Sequence, residues 1–203
     1  MGSEAYQYVH DFSQGALEKT GNKFDLAIEG DGFFKIRDVE GKESYTRNGS
    51  FIVNNDDYLV TKQGEYVLDV NNRRIRMVPE DWDPEQMRDK MEIVIGESGN
   101  IEMNSYTQKI PMQTIGIYDF SDKEDLFEIG DCRFVPMDKE NNPELKAEKF
   151  TVQQGMLELS NSSVIKEMIN TIQTSRNYES LTKVVSTNSD LLRTAVSVGR
   201  IGQ

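Results

Sequence analysis

Thiol and imidazole chemistry have almost nothing to work with in this 203-residue chain, which holds one cysteine, Cys132, and one histidine, His10. The cysteine count excludes a disulfide scaffold and a multi-thiolate metal site. The lone histidine leaves no room for a multi-histidine site. No apolar run approaches the roughly 18 residues that a membrane-spanning helix needs, so the chain is not read as integral to a membrane. Excess positive charge is missing too, because 35 acidic residues against 23 basic ones give a net charge of −12. Nucleic-acid binding needs clustered Lys and Arg to neutralise phosphates, so nucleic acid is excluded as a partner. The amino terminus lacks the charged, apolar and small-residue succession of a secretory signal peptide.

Catalytic and ligand-binding patterns are equally sparse. No Gly-x-Ser-x-Gly elbow is present, and no Ser or Cys has an evident His to activate it. Asn54-Asn55-Asp56-Asp57 and Ser121-Asp122-Lys123-Glu124-Asp125 are acidic, but neither has the ligand spacing, glycine and terminal Glu of a calcium loop. They read as solvated turns. Glu29-Gly30-Asp31-Gly32 lies between strand patterns rather than opening a helix, so it is no phosphate cradle. Carboxylate pairs suited to glycoside hydrolysis are available among so many acids, yet nothing singles one out. Trp82, between Asp81 and Asp83, reads as a turn residue packing inward rather than a sugar-stacking platform. No cofactor, no metal and no enzymatic activity are expected.

What the chain does have is a succession of short strand patterns from Phe24 to about Thr151. Leu26-Ala27-Ile28 and Phe33-Phe34-Lys35-Ile36-Arg37 flank the turn Gly30-Asp31-Gly32 and predict a hairpin. The same reading applies to Ser44-Tyr45-Thr46 and Ser50-Phe51-Ile52-Val53 around Asn48-Gly49. It applies again to Tyr58-Leu59-Val60-Thr61 and Tyr66-Val67-Leu68 around Gln63-Gly64. Arg74-Ile75-Arg76-Met77-Val78 alternates with period two, as a half-buried strand does. A helical turn is expected at 84–90, then strands at 91–95, 101–103, 113–120 and 133–135. Strands this closely spaced predict a mainly β fold, an antiparallel sandwich or barrel-like body, followed by one long carboxyl-terminal α-helix.

The helix begins after Ser160. Asn161-Ser162-Ser163 supplies helix-capping side chains, and neither Gly nor Pro occurs from 164 to 198. Ile165, Met168 and Ile172 follow helical spacing. Tyr178, Leu181, Val185, Asn188, Leu192 and Ala195 then keep the alternating three-and-four spacing of a coiled-coil seam. The two stretches are out of phase, so the stripe is not one continuous heptad series. A 35-residue helix is about 50 Å long at 1.5 Å per residue, more than a domain of this size needs to cover its own core. The stripe therefore asks for a partner. Residues 160–203 hold five basic and three acidic side chains, so the acidic excess lies entirely in residues 1–159. Three regions are expected: an incoming segment 1–23, a β body 24–159 and an assembly helix 160–203.

One internal echo brackets the body. Gln14-Gly15-Ala16-Leu17-Glu18-Lys19-Thr20-Gly21-Asn22 is similar to Gln154-Gly155-Met156-Leu157-Glu158-Leu159-Ser160-Asn161-Ser162. The copies read as matched segments where the chain enters and leaves the body.

These same blocks carry a family resemblance. The first echo copy, Leu26-Ala27-Ile28-Glu29-Gly30-Asp31-Gly32-Phe33-Phe34 and Tyr45-Thr46-Arg47-Asn48-Gly49-Ser50-Phe51 together resemble the bacterial flagellar rod and hook proteins. So does the ending: Gln154-Gly155-Met156-Leu157-Glu158-x-Ser160-Asn161, then Glu167-Met168-Ile169-Asn170-x-Ile172-Gln173-x-x-Arg176-x-Tyr178-Glu179. The likeness covers about 12–70 and 150–198 and is loose between them. Within the family, Thr20-Gly21-Asn22 and the Glu-Met-Ile-Asn ending look most like distal rod members, with proximal ones close behind.

The resemblance implies a non-enzymatic structural subunit of the flagellar basal body. It implies export without a cleaved signal through the flagellar export apparatus, a type III system. It further implies a homo-oligomer in a helical tube, alongside other rod and hook proteins. The motif turns Gly30, Asp31, Gly32, Phe33, Phe34, Asn48 and Gly49 would shape the body. The seam Ile165, Met168, Ile172, Tyr178, Leu181, Val185, Leu192 and Ala195 would pair with helices of neighbours. The chain departs from the family in having no amino-terminal helix before Glu4. It is read as shortened, with Met1-Gly2-Ser3 as a cloning scar. A secreted acidic β-domain that binds carbohydrate is the alternative from another class.

Overall fold

The computed structural model describes residues 11–78, 92–104, 109–161 and 164–201. His10, Trp82, the helical turn expected at 84–90, the capping residues Ser162 and Ser163, and Met1-Gly2-Ser3 lie outside the described residues. The chain forms two compact units, residues 1–161 and 162–203.

Among its described residues the first unit is built from sixteen short strands, all paired antiparallel. They are β1 (Leu17–Lys19), β2 (Leu26–Gly30), β3 (Phe33–Arg37), β4 (Glu43–Thr46), β5 (Phe51–Val53), β6 (Leu59–Thr61), β7 (Tyr66–Val67) and β8 (Glu92–Ile95). After them come β9 (Asn100–Asn104), β10 (Lys109–Thr114), β11 (Ile117–Asp119), β12 (Leu126–Gly130), β13 (Arg133–Pro136), β14 (Leu145–Lys146), β15 (Phe150–Gln154) and β16 (Met156–Glu158). The largest sheet runs β12-β13-β4-β3-β7-β6-β5, with β11 also on β3 and β14 on β11. A second sheet runs β10-β9-β8, and β15-β2 and β1-β16 are two-stranded. The body is thus mainly β, as expected, and its sheets stay open rather than closing into a barrel.

Two of the expected hairpins do not form. β2 pairs with β15 in the register Ile28↔Val152, while β3 pairs with β4, β7 and β11. Gly30-Asp31-Gly32 is therefore a crossing between sheets. Likewise β4 lies between β3 and β13, and β5 pairs with β6, so Asn48-Gly49 also passes the chain from one pairing to another. The physical reason lies in burial. Leu26, Ala27 and Ile28 are all inaccessible, as are Phe33, Phe34 and Ile36, and strands buried on both faces need covering that one hairpin partner cannot supply. Where the flanking residues are less uniformly apolar, the local reading holds: β6 and β7 form a hairpin around Gly64, and β8 and β9 around Gly99. The strand expected at 74–78 does not form: Arg74 and Arg76 make only isolated bridges to Leu68 and Tyr58, although the burial of Ile75 and Met77 keeps the period-two pattern.

Phe33 and Phe34 point to opposite faces of β3 and feed two separate cores. Phe34 joins Leu26, Ile28, Phe51, Leu59 and Ile75 in the larger one and meets Phe51 edge-to-face at 5.1 Å. Phe33 joins Tyr45, Tyr118, Phe120 and Leu126 in the smaller, with Phe12 and Phe134 packed against it.

The second unit is a single helix, α1 (Val164–Ile201), 38 residues long. Uninterrupted helical propensity and the absence of Gly and Pro up to 198 account for its length.

Candidate functional site

The chain enters and leaves the body through one ribbon. β1 and β16 pair in the register Leu17↔Glu158, Glu18↔Leu157 and Lys19↔Met156. These strands are the two copies of the echo, and the register is the one that a two-fold relation between copies demands. Exchanging Leu17 for its counterpart Leu157, and Glu158 for Glu18, turns the first pair into the second. The ribbon is closed at one end by the amides of Thr20 and Gly21, which both donate to the Gly155 carbonyl at 2.9 and 3.1 Å. At the other end Leu159 N donates to the Ala16 carbonyl, and Asn161 Nδ2 donates to the carbonyls of Asp11 and Ser13.

Side chains hold this ribbon to the body. Gln14 Nε2 donates to the Ile28 carbonyl at 2.9 Å, and Gln14 Oε1 accepts from Gly30 N at 3.0 Å, covering the edge of β2 that faces away from β15. Arg47 donates from Nε to Glu158 Oε2 at 2.8 Å. Its two remaining nitrogens reach the carbonyls of Gly32, Gly30 and Ile28 at 3.2, 3.1 and 3.3 Å. Glu158 Oε1 in turn accepts from Gly15 N at 2.8 Å. The Arg47 and Glu158 side chains are only 15% and 10% exposed, a setting in which charge-assisted hydrogen bonds are strong.

The motif turns sit against this cluster. Gly30 has φ +105°, and a Cβ there would lie 2.5 Å from the Lys149 carbonyl, so the crossing between sheets needs glycine for both reasons. Asp31, beyond it, bonds Lys123 Nζ at 2.7 Å, which holds its carboxyl below the usual range. Asn48 Oδ1 accepts from Ser50 N. Gly49 gives its carbonyl to Leu26 N at 3.0 Å, and a Cβ on it would lie 1.7 Å from the Leu26 carbonyl. The structure thus brings Gly30, Asp31, Gly32 and Arg47 together, with Asn48 and Gly49 next in the chain. Phe33 and Phe34 anchor the same segment in the two cores.

A second polar cluster stiffens the body. Lys35 Nζ lies 2.7 Å from Glu144 Oε1 and 2.9 Å from Glu43 Oε2, with its side chain 2% exposed. Burial pushes Lys35 down, but the hydrogen bonds and charges of Glu144 and Glu43 outweigh it and leave its pKa above the ordinary value. Burial likewise pushes Glu43 up, and Arg37 and Lys35 outweigh that, holding its carboxyl below the ordinary value. The Tyr45 hydroxyl donates to Glu144, and burial together with that carboxylate raises the phenol. Among the described residues no group of three or more His, Cys, Asp or Glu is placed to hold a metal ion.

The expected seam lies on α1. Met168, Ile172, Tyr178, Leu181 and Val185 are 62%, 53%, 72%, 65% and 65% exposed. Ile165, Leu192 and Ala195 lie on the same helix, but their side chains are outside what is described. Ile169 and Val184 are exposed beside the seam and broaden the stripe by one position in each half. Arg47, Glu158, Gln14 and Gln154 stand in the motif blocks but carry no role in the sequence reading. The signal that marks Gln14, Gln154 and Glu158 is the echo itself, which repeats Gln-Gly at the mouth of the body on both sides, whereas Arg47 lies outside it.

Both ends of this geometry have counterparts in known proteins. The chain matches the flagellar hook protein FlgE/F/G D1 domain over residues 27–103, and the flagellar basal body rod FlgEFG protein C-terminal over 153–198. The flagellar basal-body rod protein FlgF of Caulobacter vibrioides is 32% identical, over the whole of this chain and 78% of that protein. The chain belongs to the flagellar basal-body rod protein family. FlgG of Borreliella burgdorferi is 32% identical over 93% of this chain and 69% of its own length. FlgG of Bacillus subtilis is 29% identical over 98% and 74%. As a family member this protein is a structural rod subunit, and its place is the flagellar basal body. The first matched range runs from β2 to β9 and holds the motif turns and Arg47. The second begins in β15 and takes in β16, with Glu158, and most of α1.

Proposed function

We propose that this rod subunit works by assembly rather than catalysis, polymerising into the axial helical tube that transmits torque. The observation that carries this reading is the run of apolar side chains on α1, Met168, Ile172, Tyr178, Leu181 and Val185, each more than half exposed. In a soluble chain such a stripe is costly, and burying it against equivalent helices supplies a driving force of about 25 cal/mol per Å² of apolar surface. On this reading Ile165, Leu192 and Ala195 extend the seam, the seam pairs as a coiled coil, and residues 160–203 are the assembly element. Residues 24–159 are the rigid body, and 1–23 the incoming segment. Helix ordering coupled to packing would keep the subunit from polymerising before export, because an isolated helix gains little from its own hydrogen bonds. The flagellar export apparatus, other rod and hook proteins, and further copies of this chain are the partners proposed.

Electron microscopy of hook–basal bodies from a strain deleted for the gene tests the reading. Absent or shortened rods, restored with motility by the complete gene, are the expected result, and the missing segment identifies the position, with the distal one first to be looked for. Complete rods and normal swimming in the deletion strain would overturn it.

A further inference from the structure

Arg47 is used unlike any other cation among the described residues, because one guanidinium serves four acceptors drawn from two parts of the fold. Nε holds Glu158 on β16, while the two terminal nitrogens hold the carbonyls of Ile28, Gly30 and Gly32 at the crossing from β2 to β3. The Ile28 and Gly30 carbonyls lie on the edge of β2 along which no strand pairs among the described residues, since β2 pairs with β15 on its other edge. Gln14, preceding β1, reaches the same Ile28 carbonyl. Glu158 passes the connection on to Gly15 N, so both strands of the ribbon are tied to the crossing through two adjoining side chains.

We propose that Arg47 is a positioning residue of the rod subunit, seating the β1–β16 ribbon on the body through Glu158. The inference rests on the rod reading for its consequence, because β16 is the last strand in the chain before the proposed assembly helix. The Arg47 guanidinium and the Gln14 amide are the side chains that join the ribbon to the crossing from β2 to β3. A three-residue ribbon has few ladder bonds of its own, and two-stranded pairs are marginal in isolation. Its attitude on the body therefore depends on these side chains as well as on the backbone bond from Gly155 N to the Asp25 carbonyl. The requirement is for arginine specifically. Its planar fork presents donors on three sides, whereas an ammonium at the same place has the charge but not the geometry.

Arg47→Lys separates the two, and Arg47→Gln and Glu158→Gln bracket it. In the 203-residue chain, amide exchange is followed at Thr20 and Leu159, which close the ribbon, and at Leu59 and Leu68, which bond within the body. Arg47→Lys is expected to speed ribbon exchange about tenfold, the worth of one charge-assisted hydrogen bond, and to leave Leu59 and Leu68 unchanged. Glu158→Gln, which spares the three carbonyl contacts, is expected to have the smaller effect. In the complete gene, Arg47→Lys is expected to build rods but to lower swimming speed in viscous medium more than in dilute medium. Unchanged ribbon exchange would overturn the proposal. So would acceleration of the body amides by the same factor, which would make Arg47 a general stability residue. If the unaltered gene fails to restore rods in the deletion strain, the rod reading falls, and the exchange result still decides the seating of the ribbon.

Discussion

Gln14 and Gln154, at matching places in the two echo copies, do the same work on two different strands. Each straddles a strand edge, accepting from one backbone amide and donating to the carbonyl two residues earlier. For Gln14 these are Gly30 N and the Ile28 carbonyl on β2, and for Gln154 they are Ile95 N and the Ile93 carbonyl on β8. A primary amide copies the donor and acceptor of a peptide group, so each glutamine caps an edge as a one-residue strand would. Capping removes a free edge that would otherwise invite wrong pairing.

Truncating either glutamine leaves a strand-edge N–H and C=O to be served by water alone. Gln14→Ala and Gln154→Ala are each expected to lower unfolding stability by about 1–2 kcal/mol in urea titration. Gln14→Glu is expected to cost more than Gln14→Ala, because a carboxylate oxygen replaces the donor facing the Ile28 carbonyl. Stability of all three variants equal to that of the unaltered chain would show that the edges are not capped this way.

The two glycines Gly49 and Gly64 are expected to respond very differently to alanine. A Cβ at Gly49 would lie 1.7 Å from the Leu26 carbonyl, so the chain crossing must shift, at a cost of about 3 kcal/mol or more. Gly64 has φ +90° and open space around it, so only the left-handed backbone penalty of about 1–2 kcal/mol applies. Chemical denaturation followed by circular dichroism measures both.

The Lys35 cluster predicts how stability follows pH. Glu43 is held below its ordinary value of 4.5 in the folded state, so its contribution is present above that value and is lost as pH falls through the depressed one. Lys35 is held above 10.5, so its contribution is present below that value and lost only as pH rises beyond it. These two groups therefore leave the melting temperature level through neutrality and drop it on acidification below about 4.5. Lys35→Met is expected to lower stability at pH 7 by removing the cation between the half-buried Glu43 and Glu144 carboxylates, which keep only Arg37 and the Tyr45 hydroxyl, and to shrink the difference between pH 7 and pH 4.

Charges placed on the helix stripe separate folding from assembly. Leu181 and Val185 are each 65% exposed, so Leu181→Asp or Val185→Asp is expected to change the stability of the isolated chain by about 0.5 kcal/mol or less. In the complete protein the same changes are expected to abolish rods in hook–basal body preparations. Normal rods with either variant would show that the seam is not the assembly surface.

Much of this architecture is legible before any tertiary contact is known. The Gly64 turn and the unbroken helical stretch after 163 are local properties, governed by backbone geometry and the nearest few side chains, and form as read, whereas the strand expected at 74–78 is reduced to isolated bridges at Arg74 and Arg76. The short edge strand β14, with exposed Leu145, carries too few residues for any pattern to mark it. β12 carries alternating Phe127 and Ile129, a pattern too short beside its acidic flanks to stand out as a strand. The echo was visible as two similar segments, but not the register that pairs Leu17 with Glu158.

The order of residues by itself determined the mainly β character of the body, several of its strands and turns, and the long helix, because those depend on periodicity and turn chemistry within a few positions. It also determined the family, since the motif blocks are contiguous strings. Only the tertiary structure decided that Leu26-Ala27-Ile28 joins β15 rather than β3, and that β4 joins β13 rather than β5. A buried strand chooses among several chemically equivalent edges by how completely each choice covers both its faces. Arg47 and Glu158 acquire a role for the same reason: they lie far apart in the chain, and only folding brings four acceptors within reach of one guanidinium.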